Sequence, residues 1–349
     1  MLTRRVLAVL ALAAGMGSVV APVSAADIEP PPGQWRAGDI PATGGAPGGF
    51  DYIGIKGVTG QHGLTREYKV HIPKSYQRGV PTPLVFCLPG FLENTSMFCV
   101  RGTNTSPYSG NGTSGGLVDQ SERNGFILVM AQGYQDSWNG GVCCGSASSL
   151  ELNLDDVALI RAILAEVKQH LDVDASRVYA VGFSNGAFMA DRLACEASDM
   201  IAAIVEGSGG IRTLPMSDCK PKHHVPVLGT HGQGGRDYFV RYSTDQASMA
   251  QFASAQGCAA TTVPAVSPAS VGDGTHSGDV TCVTYASCPS DTEVTFCSVQ
   301  DGGHCWYGSP SCGTGFGTFA ADISLGTGVN TQNLVNSDIV WPFLSKYSR

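Results

Sequence analysis

The segment Val178-Tyr179-Ala180-Val181-Gly182-Phe183-Ser184-Asn185-Gly186-Ala187-Phe188-Met189 divides into three parts. Val178 to Val181 is apolar, short and β-branched, which reads as a buried strand. Gly182-Phe183-Ser184-Asn185-Gly186 fits G-x-S-x-G, and the apolar-rich run from Asn185 through Ala197 reads as a helix. Strand, tight turn and helix together make that pentapeptide a nucleophile elbow. The turn is strained, so the flanking positions need glycine, where any side chain would meet neighbouring backbone. Ser184 then stands at the sheet edge, its hydroxyl exposed and a helix N-terminus behind it. A serine in an ordinary glycine-rich turn is the plainer alternative, and the flanking elements favour the nucleophile.

Working outward, the same alternation recurs. Arg66 to Ile72 alternates as a strand with one wet face, on which His71 is expected to point outward. Leu84 to Leu88 is a strand ending at Pro89-Gly90-Phe91. A short helix after Leu117 leads to a strand at Phe126 to Met130 and a loop carrying Trp138. Val157, Ile160, Leu164, Val167 and Leu171 recur at helical spacing, with Asp155 and Asp156 suited to the N-terminal end of that helix. Strands at Met200 to Glu206, Val225 to Thr230 and Glu293 to Val299 follow, with helices at Gln246 to Ala255 and Ser337 to Lys346. The pattern predicts a single α/β domain, a mostly parallel central sheet with helices on both faces.

The chain has 349 residues, 43% of them hydrophobic and 14% charged, enough for a sizeable core under a nearly neutral surface. A formal charge of −8 without any Lys/Arg cluster argues against nucleic acid as a partner. Residues 1–25 read as a signal peptide: Arg4 and Arg5, an apolar run from Val6 to Val20, and a small-residue cleavage site at Val23-Ser24-Ala25. Residues 26–50 form a Pro/Gly-rich leader, and 51–349 the folded domain. No later stretch suggests a membrane span. All 12 cysteines follow the leader, an even count that predicts disulfides in an oxidising compartment, hence secretion. No pair has the C-x₂-C spacing of zinc ribbons. Cys195–Cys219 and Cys305–Cys312 are the expected bridges, although spacing alone does not fix the connectivity.

A serine hydroxyl needs a base, and the base an orienting acid. In the α/β-hydrolase order they follow as Ser, then Asp or Glu, then His. His276 and His304 lie late enough. His276 falls in a Gly/Ser/Asp-rich loop, whereas His304 lies in Asp301-Gly302-Gly303-His304-Cys305-Trp306, directly after a predicted strand. Asp237 is the first carboxylate after the strand at Val225 to Thr230, with Asp245 as its competitor. The oxyanion donors are expected to be the Asn185 amide and, because Pro89 has no N–H, the Phe91 amide.

These blocks also stand in the order found in a known family. Arg66-Glu67-Tyr68, Pro83-Leu84-Val85, Ser137-Trp138-Asn139-Gly140-Gly141-Val142-Cys143-Cys144-Gly145, Asp155-Asp156-Val157, Arg177-Val178-Tyr179, the elbow, His231-Gly232 and Gly303-His304-Cys305-Trp306 succeed one another. Over about residues 60 to 347 the chain resembles the secreted feruloyl and acetylxylan esterases (carbohydrate esterase family one) and the polyhydroxybutyrate depolymerases. The resemblance implies an α/β-hydrolase fold with Ser184 as nucleophile, Asp237 as acid and His304 as base. The chain departs from it at Pro89-Gly90, where the family usually has His-Gly, and in a loop between His231-Gly232 and Asp237 that is about two residues longer.

The function expected from these residues is hydrolysis of a carboxylic ester through an acyl-enzyme. It requires no cofactor, and no metal-ligand spacing such as H-E-x-x-H occurs. The implied partner is an ester substrate of hydroxycinnamoyl or hydroxyalkanoate type. Feruloyl-type plant cell-wall esters stand first; polyhydroxyalkanoate and acetylxylan are the alternatives. Trp138 and Trp306 are candidates to line the cleft, or else simply to pack in the core. A non-catalytic binding protein on the same fold would carry an inert residue at one of the three positions, and none does.

Overall fold

The computed structural model describes residues 51–56 (backbone), 64–95, 98–99, 116–141, 144, 148–210, 219, 221–234, 237, 239–265, 279–308, 331, 333–334 and 336–349. The expected signal peptide and leader, His276 and Cys312 lie outside them. The strands are β1 (Asp51–Lys56), β2 (Thr65–His71), β3 (Thr82–Leu88), β4 (Ile127–Ala131), β5 (Val173–Phe183), β6 (Ala203–Gly207), β7 (Val227–Gln233), β8 (Thr262–Pro264), β9 (Val280–Tyr285) and β10 (Val294–Gln300). Among them run helices α1 (Leu117–Asn124), α2 (Asp156–His170), α3 (Asn185–Glu196), α4 (Tyr242–Ala255) and α5 (Asn336–Leu344).

All ten strands join in one sheet, ordered β1-β2-β4-β3-β5-β6-β7-β10-β9-β8. From β4 to β10 every neighbouring pair is parallel, and antiparallel pairs finish both edges. The interior strands are parallel because they are apolar on both faces: β3, β4 and β6 are buried at every residue. Their side chains alternate between two cores. Leu84, Phe86 and Leu88 pack with residues of α2, α3 and α4, whereas Val85 and Cys87 pack with α1 and α5.

From β3 the chain crosses to β4 on one side and, through α2, to β5 on the other side of β3. The carboxyl ends of β3 and β5 therefore flank a topological switch point, where open α/β sheets leave a crevice for ligands. The loop after β3 carries Pro89-Gly90, and the turn after β5 carries Ser184.

Two local expectations are corrected. His71 does not point to solvent. It is buried, with Nε2 2.9 Å from Glu122 Oε1 of α1. Of the two aspartates before α2, only Asp155 caps the helix, accepting the Ala158 N–H at 2.9 Å. Asp156 is buried completely, pairs with Arg66 at 2.7 Å, and accepts the Asn139 N–H at 2.7 Å. It ties β2 to the loop that carries Trp138.

Among the described residues four disulfides are complete: Cys87–Cys99, Cys195–Cys219, Cys258–Cys288 and Cys282–Cys297. Cys195–Cys219 is the pair expected from the sequence. Cys305 is also disulfide-bonded; its expected partner, Cys312, is not among the described residues. Cys87–Cys99 tethers the loop that leaves β3, and with it the wall of the crevice.

Candidate active site

Ser184 sits at φ 55° and ψ −119°, a left-handed position that a non-glycine residue rarely adopts and that costs about 1–3 kcal/mol. Packing enforces it. A Cβ on Gly182 would run into the Gly186 carbonyl, and one on Gly186 into the carbonyls of Leu88 and Pro89. The Ser184 N–H is held by the Gly207 carbonyl at 2.8 Å, and its own carbonyl accepts from Ala187 and Phe188 at 2.9 and 3.1 Å, starting α3. The hydroxyl is thereby pushed out of the sheet end.

The structure brings Ser184, His304 and Asp237 into one line. His304 Nε2 lies 2.8 Å from Ser184 Oγ, and His304 Nδ1 lies 2.8 Å from Asp237 Oδ2. With Nδ1 donating to the carboxylate, Nε2 is the acceptor for the serine proton. Asp237 follows β7, and its second oxygen accepts the N–H groups of Phe239 and Val240 at 2.9 and 2.8 Å. Burial pushes the Asp237 carboxyl up, but the His304 hydrogen bond, the charges of His304 and His231 and the Val240 N–H outweigh it. The group is held below its ordinary value. His304 follows β10, in a loop braced by Tyr307, whose hydroxyl donates to the Gly303 carbonyl at 2.9 Å. Its ring lies between Phe183, with centroids 5.0 Å apart, and Phe239, at 5.2 Å.

Asp245 does not reach this line. It is buried in the first turn of α4, beside Asp191 and Glu206. Burial and their mutual repulsion raise Glu206 and Asp245 well above ordinary carboxyl values, and burial pushes Asp191 up to about 7. These three act on one another rather than on His304.

The two tryptophans expected in the cleft wall are buried instead, Trp138 at 1% exposure and Trp306 at 2%. Their ring N–H groups are committed: Trp138 Nε1 donates to the Pro89 carbonyl at 3.0 Å, and Trp306 Nε1 to Ser337 Oγ at 3.0 Å. Both support the site from beneath, because an indole whose N–H finds a partner inside is most stable buried. Phe239, 50% exposed, is an apolar side chain open to solvent against the His304 ring. An aromatic residue two places after the acid was the available signal for Phe239.

The Pro89–Gly90 peptide is gripped at both ends. Its carbonyl takes the Trp138 indole, and its N–H donates to Glu93 Oε2 at 2.9 Å. The next amide, Phe91 N–H, has no acceptor among the described residues. His231 is a further neighbour missed in the sequence. It is fully buried; its Nδ1 donates to the Gly232 carbonyl at 2.9 Å, and its Nε2 lies 3.5 Å from Asp237 Oδ2. Among the described residues no cluster of three or more His, Cys, Asp or Glu side chains could hold a metal ion.

No family model matches the chain. Over 249 residues it is 30% identical to a "Probable feruloyl esterase C" of Aspergillus oryzae, covering 71% of this chain and 79% of that protein. It is 29% identical to the feruloyl esterase C of Emericella nidulans over 171 residues, 48% of this chain and 54% of that one. An acetyl xylan esterase from Aspergillus awamori superposes with a TM-score of 0.51 at 13% identity, over 72% of this chain and 93% of that chain. Sheet order, strained elbow and this fold likeness define the α/β-hydrolase fold, and the 30% identical relative makes it an esterase. Within that class, the chain belongs to the feruloyl esterase family.

Proposed function

We propose that the chain is a secreted serine esterase that releases hydroxycinnamic acids of the ferulic type from plant cell-wall esters through an acyl-enzyme. The observation that carries this is the Ser184–His304–Asp237 line, with both bonds at 2.8 Å, on a strained elbow beside the exposed Phe239. His304 takes the proton from Ser184 Oγ as the oxygen attacks the ester carbonyl carbon. The negative charge collects on the former carbonyl oxygen, facing the amides of Asn185 and Phe91. His304 then gives its proton to the departing alkoxide, and the alcohol leaves. A water molecule, deprotonated by His304, attacks the acyl-serine in the same way. The free acid departs, and Ser184 recovers its proton. Asp237 keeps Nδ1 protonated and stabilises the imidazolium formed in both steps.

Phe239 supports the choice of acyl group. It is an apolar side chain exposed beside His304, where a planar aryl ring can lose water against it. The relatives' feruloyl esterase names point the same way. Secretion is supported by the disulfides, which persist in oxidising compartments.

The test is hydrolysis of methyl ferulate, acetylated xylan and hydroxybutyrate oligomers by the mature protein, with and without Ser184. The proposal expects the highest kcat/KM on methyl ferulate and none of that turnover in Ser184→Ala. Faster turnover of hydroxybutyrate oligomers or acetylxylan would replace the substrate while leaving the mechanism.

A further inference from the structure

Glu93 is a buried ionisable side chain behind the nucleophile that the mechanism above does not use. It lies four residues beyond Pro89, in the loop between β3 and Cys99, and is 1% exposed. Oε2 accepts the Gly90 N–H at 2.9 Å, while Oε1 is buried with no hydrogen-bond partner among the described residues. The loop is a tight turn, closed by the Glu93 N–H on the Gly90 carbonyl at 3.2 Å. It is latched to the loop after β4: Leu92 N–H donates to the Asp136 carbonyl at 3.0 Å, Thr95 N–H to Gln132 Oε1 at 3.0 Å, and Gln132 Nε2 to the Glu93 carbonyl at 3.2 Å. A Cβ on Gly90 would stand 2.9 Å from Glu93 Oε2 and 3.2 Å from Ser184 Cβ, so this glycine is wedged between the carboxyl and the nucleophile.

We infer that Glu93 is a positioning residue that sets which amide of the loop after β3 faces the developing oxyanion, and that its charge makes turnover pH-dependent beyond the titration of the base. A peptide is rigid, so fixing both its ends fixes its plane. The Trp138 indole holds the Pro89 carbonyl, and Glu93 holds the Gly90 N–H on the opposite side. Gly90 N–H is thereby removed as an oxyanion donor, and the following amide, Phe91, is the one left to serve. The family pattern has histidine where Pro89 stands here, and Pro89 contributes no N–H of its own; the carboxyl of Glu93 orients the loop.

The charge matters because of what faces it. His304 is the ionisable group whose charge acts on Glu93; Asp136, in the loop packed against it, directs its carboxylate to Gln132 Nε2 at 2.9 Å. Burial pushes Glu93 up to about 7, against the opposing pulls of the Gly90 N–H and of His304. As a neutral acid it still accepts from Gly90. As a carboxylate it also repels the oxyanion. The inference rests on the reading of Ser184 and His304 as nucleophile and base.

The experiment compares pH profiles of kcat and kcat/KM for wild type, Glu93→Gln and Glu93→Ala on methyl ferulate, with active sites counted by fluorophosphonate labelling of Ser184. Glu93→Ala removes the acceptor and should lower kcat by about tenfold or more with little change in KM, since a misaligned donor acts on the transition state. Glu93→Gln keeps an acceptor oxygen and should recover most of that loss. It should also hold its kcat to higher pH than wild type, because the carboxylate that repels the oxyanion is gone. A kcat for Glu93→Ala within about twofold of wild type per labelled site would overturn the positioning role. Profiles of Glu93→Gln superimposable on wild type would overturn the charge role. Activity surviving in Ser184→Ala would instead remove the mechanism on which both depend. Melting curves of the two variants separate a folding defect from a catalytic one, and the isosteric Glu93→Gln remains readable if Glu93→Ala does not fold.

Discussion

The side chain of Asn185 grips the backbone of Trp138 on both sides: Oδ1 accepts the Trp138 N–H at 2.6 Å, and Nδ2 donates to the Trp138 carbonyl at 3.2 Å. The residue directly after the nucleophile thus holds the residue whose indole holds Pro89. Elbow, Trp138 loop and the loop after β3 form one unit, buried where they meet at Asn185, Trp138, Pro89 and Gly90. Asn185→Ala leaves both Trp138 backbone groups without these partners. It should cost about 1–3 kcal/mol of stability and lower kcat more than it raises KM. Urea titration and steady-state kinetics on the same preparation check both. Unchanged kcat would mean that the grip serves stability alone.

Ser184→Ala should fold normally and lose about four orders of magnitude or more in kcat, leaving only what binding and the oxyanion donors supply. The same variant should not react with a fluorophosphonate. A tenth of the wild-type rate remaining would exclude Ser184 as the nucleophile.

Asp237→Asn and Asp245→Asn should separate cleanly. The first turns the His304 imidazole to the wrong tautomer and should cost about 10⁴ in kcat. The second lies off the relay and should leave kcat little changed. A crippled Asp245→Asn beside a nearly normal Asp237→Asn would reverse the assignment.

The buried trio Asp191, Glu206 and Asp245 should make the fold weaken as pH rises. Each is raised in the folded state, first by burial; Asp191 stands near 7 against an ordinary 3.8. Above the ordinary values the folded chain binds more protons than the unfolded one, so its stability falls with pH. For Asp191 this contribution is complete below 3.8 and lost as pH passes about 7. Urea midpoints should therefore fall between pH 5 and pH 8, with a shallower slope in Glu206→Gln. Equal slopes in the two proteins would show that the trio does not govern this range.

Phe239→Ala should raise KM for methyl ferulate by more than it does for a small acetyl ester, since only the aryl substrate can cover the ring. Burying that face is worth on the order of 1 kcal/mol, about fivefold in KM. Equal changes for both substrates would take Phe239 out of the acyl site.

Much of the site could be read from the chain. The G-x-S-x-G turn between an apolar strand and a helix marks Ser184, because only a glycine-flanked residue can take φ 55° with backbone pressed against it. His304 and Asp237 follow from chain order and from their places after strands. The edges were less legible. β8 has only three residues, all exposed, and pairs with β9, whose buried and half-open residues are held by pairing with β10 and by the Cys282–Cys297 bridge. His71, read as outward, is buried because α1 covers that edge with Glu122.

Periodicity, glycine placement and the order of serine, acid and histidine dictate the layered sheet, the elbow and the Ser184–His304–Asp237 line, since each follows from backbone sterics or from local chemistry. Packing alone assigns the remaining roles. Trp138 and Trp306 carry the aromatic surface expected of a cleft wall, yet both are buried, because the Pro89 carbonyl and the Ser337 hydroxyl satisfy their N–H groups inside. Asp156 looks like a helix cap and serves instead as the partner of Arg66. Glu93 carries no mark of a role in the sequence, yet it is wedged behind the Gly90 amide. In each case the deciding partner lies at least 31 residues away or across a turn whose shape the local sequence does not specify, so burial and charge were set only when distant parts of the chain closed on one another.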